Sequence, residues 1–219
     1  MRLLLEFLCR FGWGLALALV LTPGGLVPGG FFRVNLLVVM GLATFAALLA
    51  PAAAPGSDRL LPAAAAVVAW MGSVAWLADR RRAGFGLCAV CAALLAAMVQ
   101  MLSADAPAVA AGLLSGALVG LTVHAMLLGH WYLNAPGMRV DVLRRMIDLA
   151  LGAWGLQLAA SVAAAVAGGS AAAGATATAL LAMRWLAGLV GLPILLLMAR
   201  RTLDIPNTQS ATGILYVAC

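Results

Sequence analysis

Apolar runs of about twenty residues recur along the chain, each closed by a short cluster of Gly, Pro or charge. About 20 apolar residues are what an α-helix needs to cross the hydrocarbon of a bilayer. Seven stretches meet that requirement. The first runs from about Leu3 to Leu21 and is closed by TPGGLVPGG. The second, about Phe32 to Leu49, is closed by PAAAPGSD. The third, about Leu60 to Leu77, ends at Asp79 and Arg80, Arg81 and Arg82. The fourth covers about Gly84 to Leu102, and Asp105 and Pro107 open the fifth, about Ala108 to Tyr132. The sixth, about Val140 to Ala167, precedes the low-complexity run GGSAAAGATAT, and the seventh covers about Ala177 to Ala199. The intervening segments are short, so consecutive helices are expected to be antiparallel neighbours in one polytopic domain over residues 1–219.

After Asp204, Pro206, Asn207 and Thr208 read as a helix start, followed by the apolar run SATGILYVAC. About twelve residues are too few to span a bilayer. The expectation is a partial eighth helix, either lodged against the bundle or, as the preferred reading, continuing beyond Cys219. At the other end, Glu6 and Arg10 interrupt the first apolar run and no clean cleavage site follows, so a retained first helix is expected rather than a removed signal. Glu6 and Arg10, four apart, are expected to pair.

Composition agrees with this all-α membrane bundle. Of 219 residues, 65% are hydrophobic and 9% charged, with mean hydropathy +1.10. A soluble domain carries roughly 25% charged residues, so lipid must solvate most of this surface. The net charge of +6 comes from arginine alone, scattered between apolar segments. That placement argues for topology signals and against a nucleic-acid partner. With the N-terminus outside, nine arginines (Arg33, Arg80–Arg82, Arg139, Arg144, Arg145, Arg200, Arg201) fall on the inner side and three (Arg2, Arg10, Arg59) on the outer. The positive-inside bias therefore predicts a periplasmic N-terminus in a bacterial inner membrane. The four cysteines lie in apolar surroundings, and Cys88 and Cys91 lack the strand a thioredoxin-like site requires, so small-residue packing is expected of them.

Candidate chemistry concentrates between Leu121 and Arg145, which holds both histidines, a Trp-Tyr pair and a basic cluster. In the fifth helix Gly112, Gly116, Gly120 and His124 recur every four residues and form one groove. Such a groove serves close helix packing. It can also admit a flat ligand such as haem b, with His124 on the iron; b-type cytochromes use the same pairing of glycine and histidine. His130 lies about 9 Å further along the axis and about 120° around it, so the two histidines cannot ligate one iron from opposite faces. Beside Trp131 and Tyr132, His130 suits an interfacial belt or the head group of a quinone, whose carbonyls need hydrogen-bond donors. Asp141, Arg144, Arg145 and Asp148 are spaced to pair along the sixth helix; Asp148 and Arg145 are candidates for a proton or ion path. Arg184, deep in the seventh span, needs a partner: Asp148, Gln157, Gln100 or a haem propionate. Gly188, Gly191 and Pro193 are expected to bend that helix.

No phosphate-binding loop, nucleophile elbow, zinc-binding HExxH or dinucleotide fingerprint is present. The leading expectation is a membrane subunit or accessory protein of a respiratory or redox assembly. It would bind haem or quinone at the cytoplasmic ends of helices five to seven through His124, His130, Gly116, Gly120, Tyr132 and Arg184, and would sit among other membrane subunits. The alternatives are a small transporter or channel lined by Arg184 and Asp148, for which no inverted repeat speaks, and a ligand-free scaffold.

Overall fold

The computed structural model describes residues 1–53, 59–135, 137–168, 179–180, 182–183, 185–205 and 208–219. Among them the chain is helical, with no strand. The helices are α1 (Arg2–Leu21), α2 (Gly29–Ala53), α3 (Leu60–Leu77), α4 (Arg81–Leu102), α5 (Ala106–Asn134) and α6 (Val140–Gly168). A π-helical stretch, Trp185–Gly191, then leads into α7 (Leu192–Thr202), and α8 (Thr208–Ala218) follows. Seven segments are long and apolar enough to cross a membrane, counting Trp185–Thr202 as one. The protein is a multi-pass membrane bundle.

Local chemistry explains the boundaries. The Asp105 carboxylate accepts from the Ala108 backbone N–H at 2.8 Å and Pro107 occupies the first turn, which together start α5. In the seventh span, where Gly188, Gly191 and Pro193 lead one to expect a bend, the chain winds as a π-helix over Trp185–Gly191, and Pro193 lies in the first turn of α7, where a missing N–H is tolerated. At 29 residues, α5 and α6 are each about 43 Å long, more than the ~30 Å hydrocarbon core. The excess tilts the helices or carries an end into the head-group layer.

The bundle is built on α1 and α5. Helix α1 packs against α2, α4 and α5, and its wedge between α4 and α5 leaves those two sequence neighbours with little mutual contact. Elsewhere consecutive helices do pack together: α1 with α2, α2 with α3, α3 with α4, α5 with α6. The α1–α5 crossing is a backbone contact. A Cβ added to Gly14 would stand 1.8 Å from the Gly116 carbonyl oxygen, and one added to Gly116 would stand 2.4 Å from the Arg10 carbonyl oxygen. Without a hydrophobic drive between helices in lipid, such close approach supplies the van der Waals attraction. Trp13 Nε1 donates to the Leu113 carbonyl at 3.0 Å across the same seam.

At the arginine-rich end, Phe32 stacks on Trp76 (4.0 Å between centroids, 10° between planes) and Phe85 meets both edge-on. The rings fit because a Cβ on Gly24 or Gly84 would run into Phe85 or Trp76. At the other end, Glu6 accepts from Arg10 at 3.0 Å, as the spacing implies, and from Arg2 at 3.1 Å. Cys9, Cys88 and Cys91 are buried free thiols, packed as small apolar side chains; Cys91 Sγ lies 3.5 Å from the Ala65 carbonyl oxygen.

Candidate functional site

Histidine 124 is completely buried where α1 ends, α2 begins, and α5 and α6 pass. Its Nε2 lies 2.7 Å from Thr22 Oγ1. Thr22 Oγ1 is also 2.7 Å from the Ala18 carbonyl, which can only accept. A hydroxyl has one proton, so both contacts are satisfied when Thr22 donates to Ala18 and the His124 Nε2–H donates to Thr22. In a neutral ring Nδ1 then carries the lone pair, and it has no hydrogen-bond partner among the described residues. Met146 Sδ approaches the same hydroxyl at 3.6 Å, and the Phe31 ring stands edge-on to the imidazole at 5.1 Å.

The glycine face leading to His124 is closed. Gly116 and Gly120 lie directly on the α1 backbone, and Gly112 faces Val99 and Arg10. What stays open beside that face is a cavity of about 210 Å³, lined by Gly116 and Ser115 with Glu6, Arg10 and Phe11 of α1, and His124 lines neither it nor the two larger cavities of the bundle. The residues around His124 do not fit a haem as they stand: α1, Phe31 and Met146 fill the space a macrocycle would need.

His130 is in a different setting. It is exposed at the end of α5, and its Nδ1 meets the Tyr216 hydroxyl of α8 at 3.3 Å. Beside this pair a cavity of about 590 Å³ opens between α5 and α8, lined by Tyr132, Leu133, Thr208, Gln209, Thr212 and Tyr216, with Gly213 on its wall. The two helices can approach because α5 offers Gly129, where a Cβ would stand 2.6 Å from Thr212 Oγ1. The Thr212 hydroxyl is occupied by the Thr208 carbonyl at 2.7 Å. The Tyr132 hydroxyl donates to the Arg139 carbonyl, so Tyr132 contributes its ring to the cavity and staples the α5–α6 turn, rather than offering a free donor.

The charges of α6 do not pair along the helix as their spacing suggests. Asp141 takes Arg139 at 2.8 Å, Arg144 reaches Asp204 at 2.9 Å, and Asp148 takes Arg200 at 2.7 Å. Arg200 also lies 3.6 Å from Asp204, and Arg144 donates to the Leu203 carbonyl at 3.0 Å. Longer reach across helices wins because α7 brings a second basic cluster to the same level. The resulting network fastens the turn that leads into α8. Arg145 is exposed. Arg184, Pro206 and Asn207 lie outside the described residues.

Tyr216, Gln209, Thr208 and Thr212 escape a reading of the sequence that stops at the histidines. The signal for them is the spacing: Thr208, Thr212 and Tyr216 follow one another every four residues and share a face of α8. Compared with known proteins, the chain matches no family model, no curated relative and no solved structure.

Proposed function

We propose that this protein is an integral membrane subunit or accessory protein of a respiratory or redox assembly, and that it holds the head group of a quinone between α5 and α8. The observation that carries the reading is the cavity of about 590 Å³ at the arginine-rich end, with the His130–Tyr216 pair beside it. Its size falls in the range of small-ligand sites, roughly 300–1,000 Å³. Tyr216, Gln209 and Thr208 bring hydroxyl and amide donors for two carbonyl oxygens, and His130 adds a ring nitrogen. Tyr132 and Leu133 supply apolar walls for a flat ring. The arginine bias supports a cytoplasmic position for this end in a bacterial inner membrane, with a periplasmic N-terminus, as part of the same reading.

The test is a titration of the purified chain in detergent with decylubiquinone and with menadione, followed by quenching of tryptophan fluorescence. Saturable quenching is expected with at least one of them, and it should be lost in Gly213→Leu. No atom lies within 4 Å of a Cβ at Gly213, so the new side chain fills the cavity without displacing a helix. Absence of saturable quenching in the unmodified chain, or its survival in Gly213→Leu, would overturn the reading.

A further inference from the structure

A second cavity, of about 550 Å³, runs between α1, α5 and α6. Trp13, Leu17, Leu113, Leu121, Gly152 and Leu156 line it, and its wall is apolar except at one end, where Asp148 stands. Asp148 is held by Arg200. From Asp148 to Leu156 the groove extends about 12 Å along α6. The α6 stripe that forms its wall, Leu149, Gly152 and Leu156, continues one turn toward the arginine-rich end to Arg145. These four positions fall within about 60° of arc on the helix. Arg145 is exposed and has no hydrogen-bond or ion-pair partner among the described residues, whereas the neighbouring Arg139, Arg144 and Arg200 are each paired with an acid.

We infer that this groove binds one anionic phospholipid, with an acyl chain along Leu149, Gly152 and Leu156 and the phosphate on Arg145. The chemistry is that of a hydrocarbon slot whose mouth holds Asp148, neutralised by Arg200, with the exposed guanidinium of Arg145 one helical turn beyond the last lining leucine. A zwitterionic lipid would bring its own ammonium to that end and lose the preference. A quinone would find no carbonyl donor inside the slot. The inference stands independently of the quinone reading, since the two cavities share no residue.

The test uses the full chain in dodecyl maltoside, with native mass spectrometry counting retained dioleoylphosphatidylglycerol against dioleoylphosphatidylcholine. One phosphatidylglycerol per chain should be retained in preference to phosphatidylcholine. Arg145→Gln should weaken that retention about fivefold, the effect of one arginine near a charged lipid surface. Gly152→Leu should abolish it, and no atom lies within 4 Å of a Cβ there, so the fold is left in place. Should Gly152→Leu fail to fold, Arg145→Gln decides alone. Glycerol phosphate, a head group without a tail, should not compete. Equal retention of the two lipids, competition by glycerol phosphate, or unchanged retention in Arg145→Gln would overturn the inference. Gly213→Leu should leave lipid retention unchanged, which separates this site from the quinone cavity.

Discussion

A Cβ built on Gly120 of α5 stands 2.1 Å from the carbonyl carbon of Gly14 on α1, so the two helices touch backbone to backbone with no side chain between them. This contact fixes α5 against α1, while α6 and α8 pack on its other sides. Gly14→Ala and Gly120→Ala should each cost about 1–3 kcal/mol, the usual penalty of overpacking. Gly152→Ala and Gly41→Ala, at helical positions open to their surroundings, should be neutral or stabilising by up to about 1 kcal/mol. Unfolding in mixed micelles by titrated sodium dodecyl sulfate measures all four; equal effects at closed and open glycines would remove the contact from the account.

The seven spans are legible in the sequence because length and hydropathy alone decide whether a segment can cross lipid. The caps at Asp105 and Pro107 and the Glu6–Arg10 pair are equally local, and they stand where four-residue geometry puts them. The use of the glycine stripe on α5 is not local. Gly116 and Gly120 offer the same groove to a ligand or to a helix, and only the position of α1 decides between them. Asp148 shows the same limit: its partners along α6 are visible in the sequence, but Arg200 lies 52 residues away and reaches it through the packing of α7.

Among the described residues, Thr22 supplies the one hydrogen bond that the His124 ring makes. Thr22→Val should strand the buried Nε2–H and destabilise the protein by about 1–3 kcal/mol, while Thr22→Ser should retain most of the stability. The proton count further predicts a proton on Nε2, so that a neutral His124 is the Nε2–H tautomer, which the ¹⁵N chemical shifts of the labelled ring report directly. An Nδ1–H signal would contradict it.

The Asp204 carboxylate joins Arg144 of α6 and Arg200 of α7 just before α8 begins. Because Asp204 is more than half exposed, Asp204→Asn should cost global stability less than about 1 kcal/mol. Its effect should be local: faster hydrogen exchange across α8, and weaker quinone binding because one wall of the cavity loosens. Unchanged exchange in α8 would mean that the network does not hold the helix.

The orientation is tested by cysteine labelling in a chain whose own four cysteines are replaced by alanine or serine. Arg80 and Arg59 are exposed at opposite ends of α3. In intact cells with a permeable outer membrane, an impermeant maleimide should label Arg59→Cys at once and Arg80→Cys only after the inner membrane is broken. The reverse pattern would invert the topology and put the cavity between α5 and α8 on the periplasmic side.

The most direct test of the central proposal is to map a photoreactive azidoquinone after irradiation of the membrane-embedded chain. Label is predicted on peptides carrying His130 to Leu133 of α5 and Thr208 to Tyr216 of α8, reduced by excess decylubiquinone and absent in Gly213→Leu. Label confined to other helices, or label on these two that excess quinone does not reduce, would contradict it.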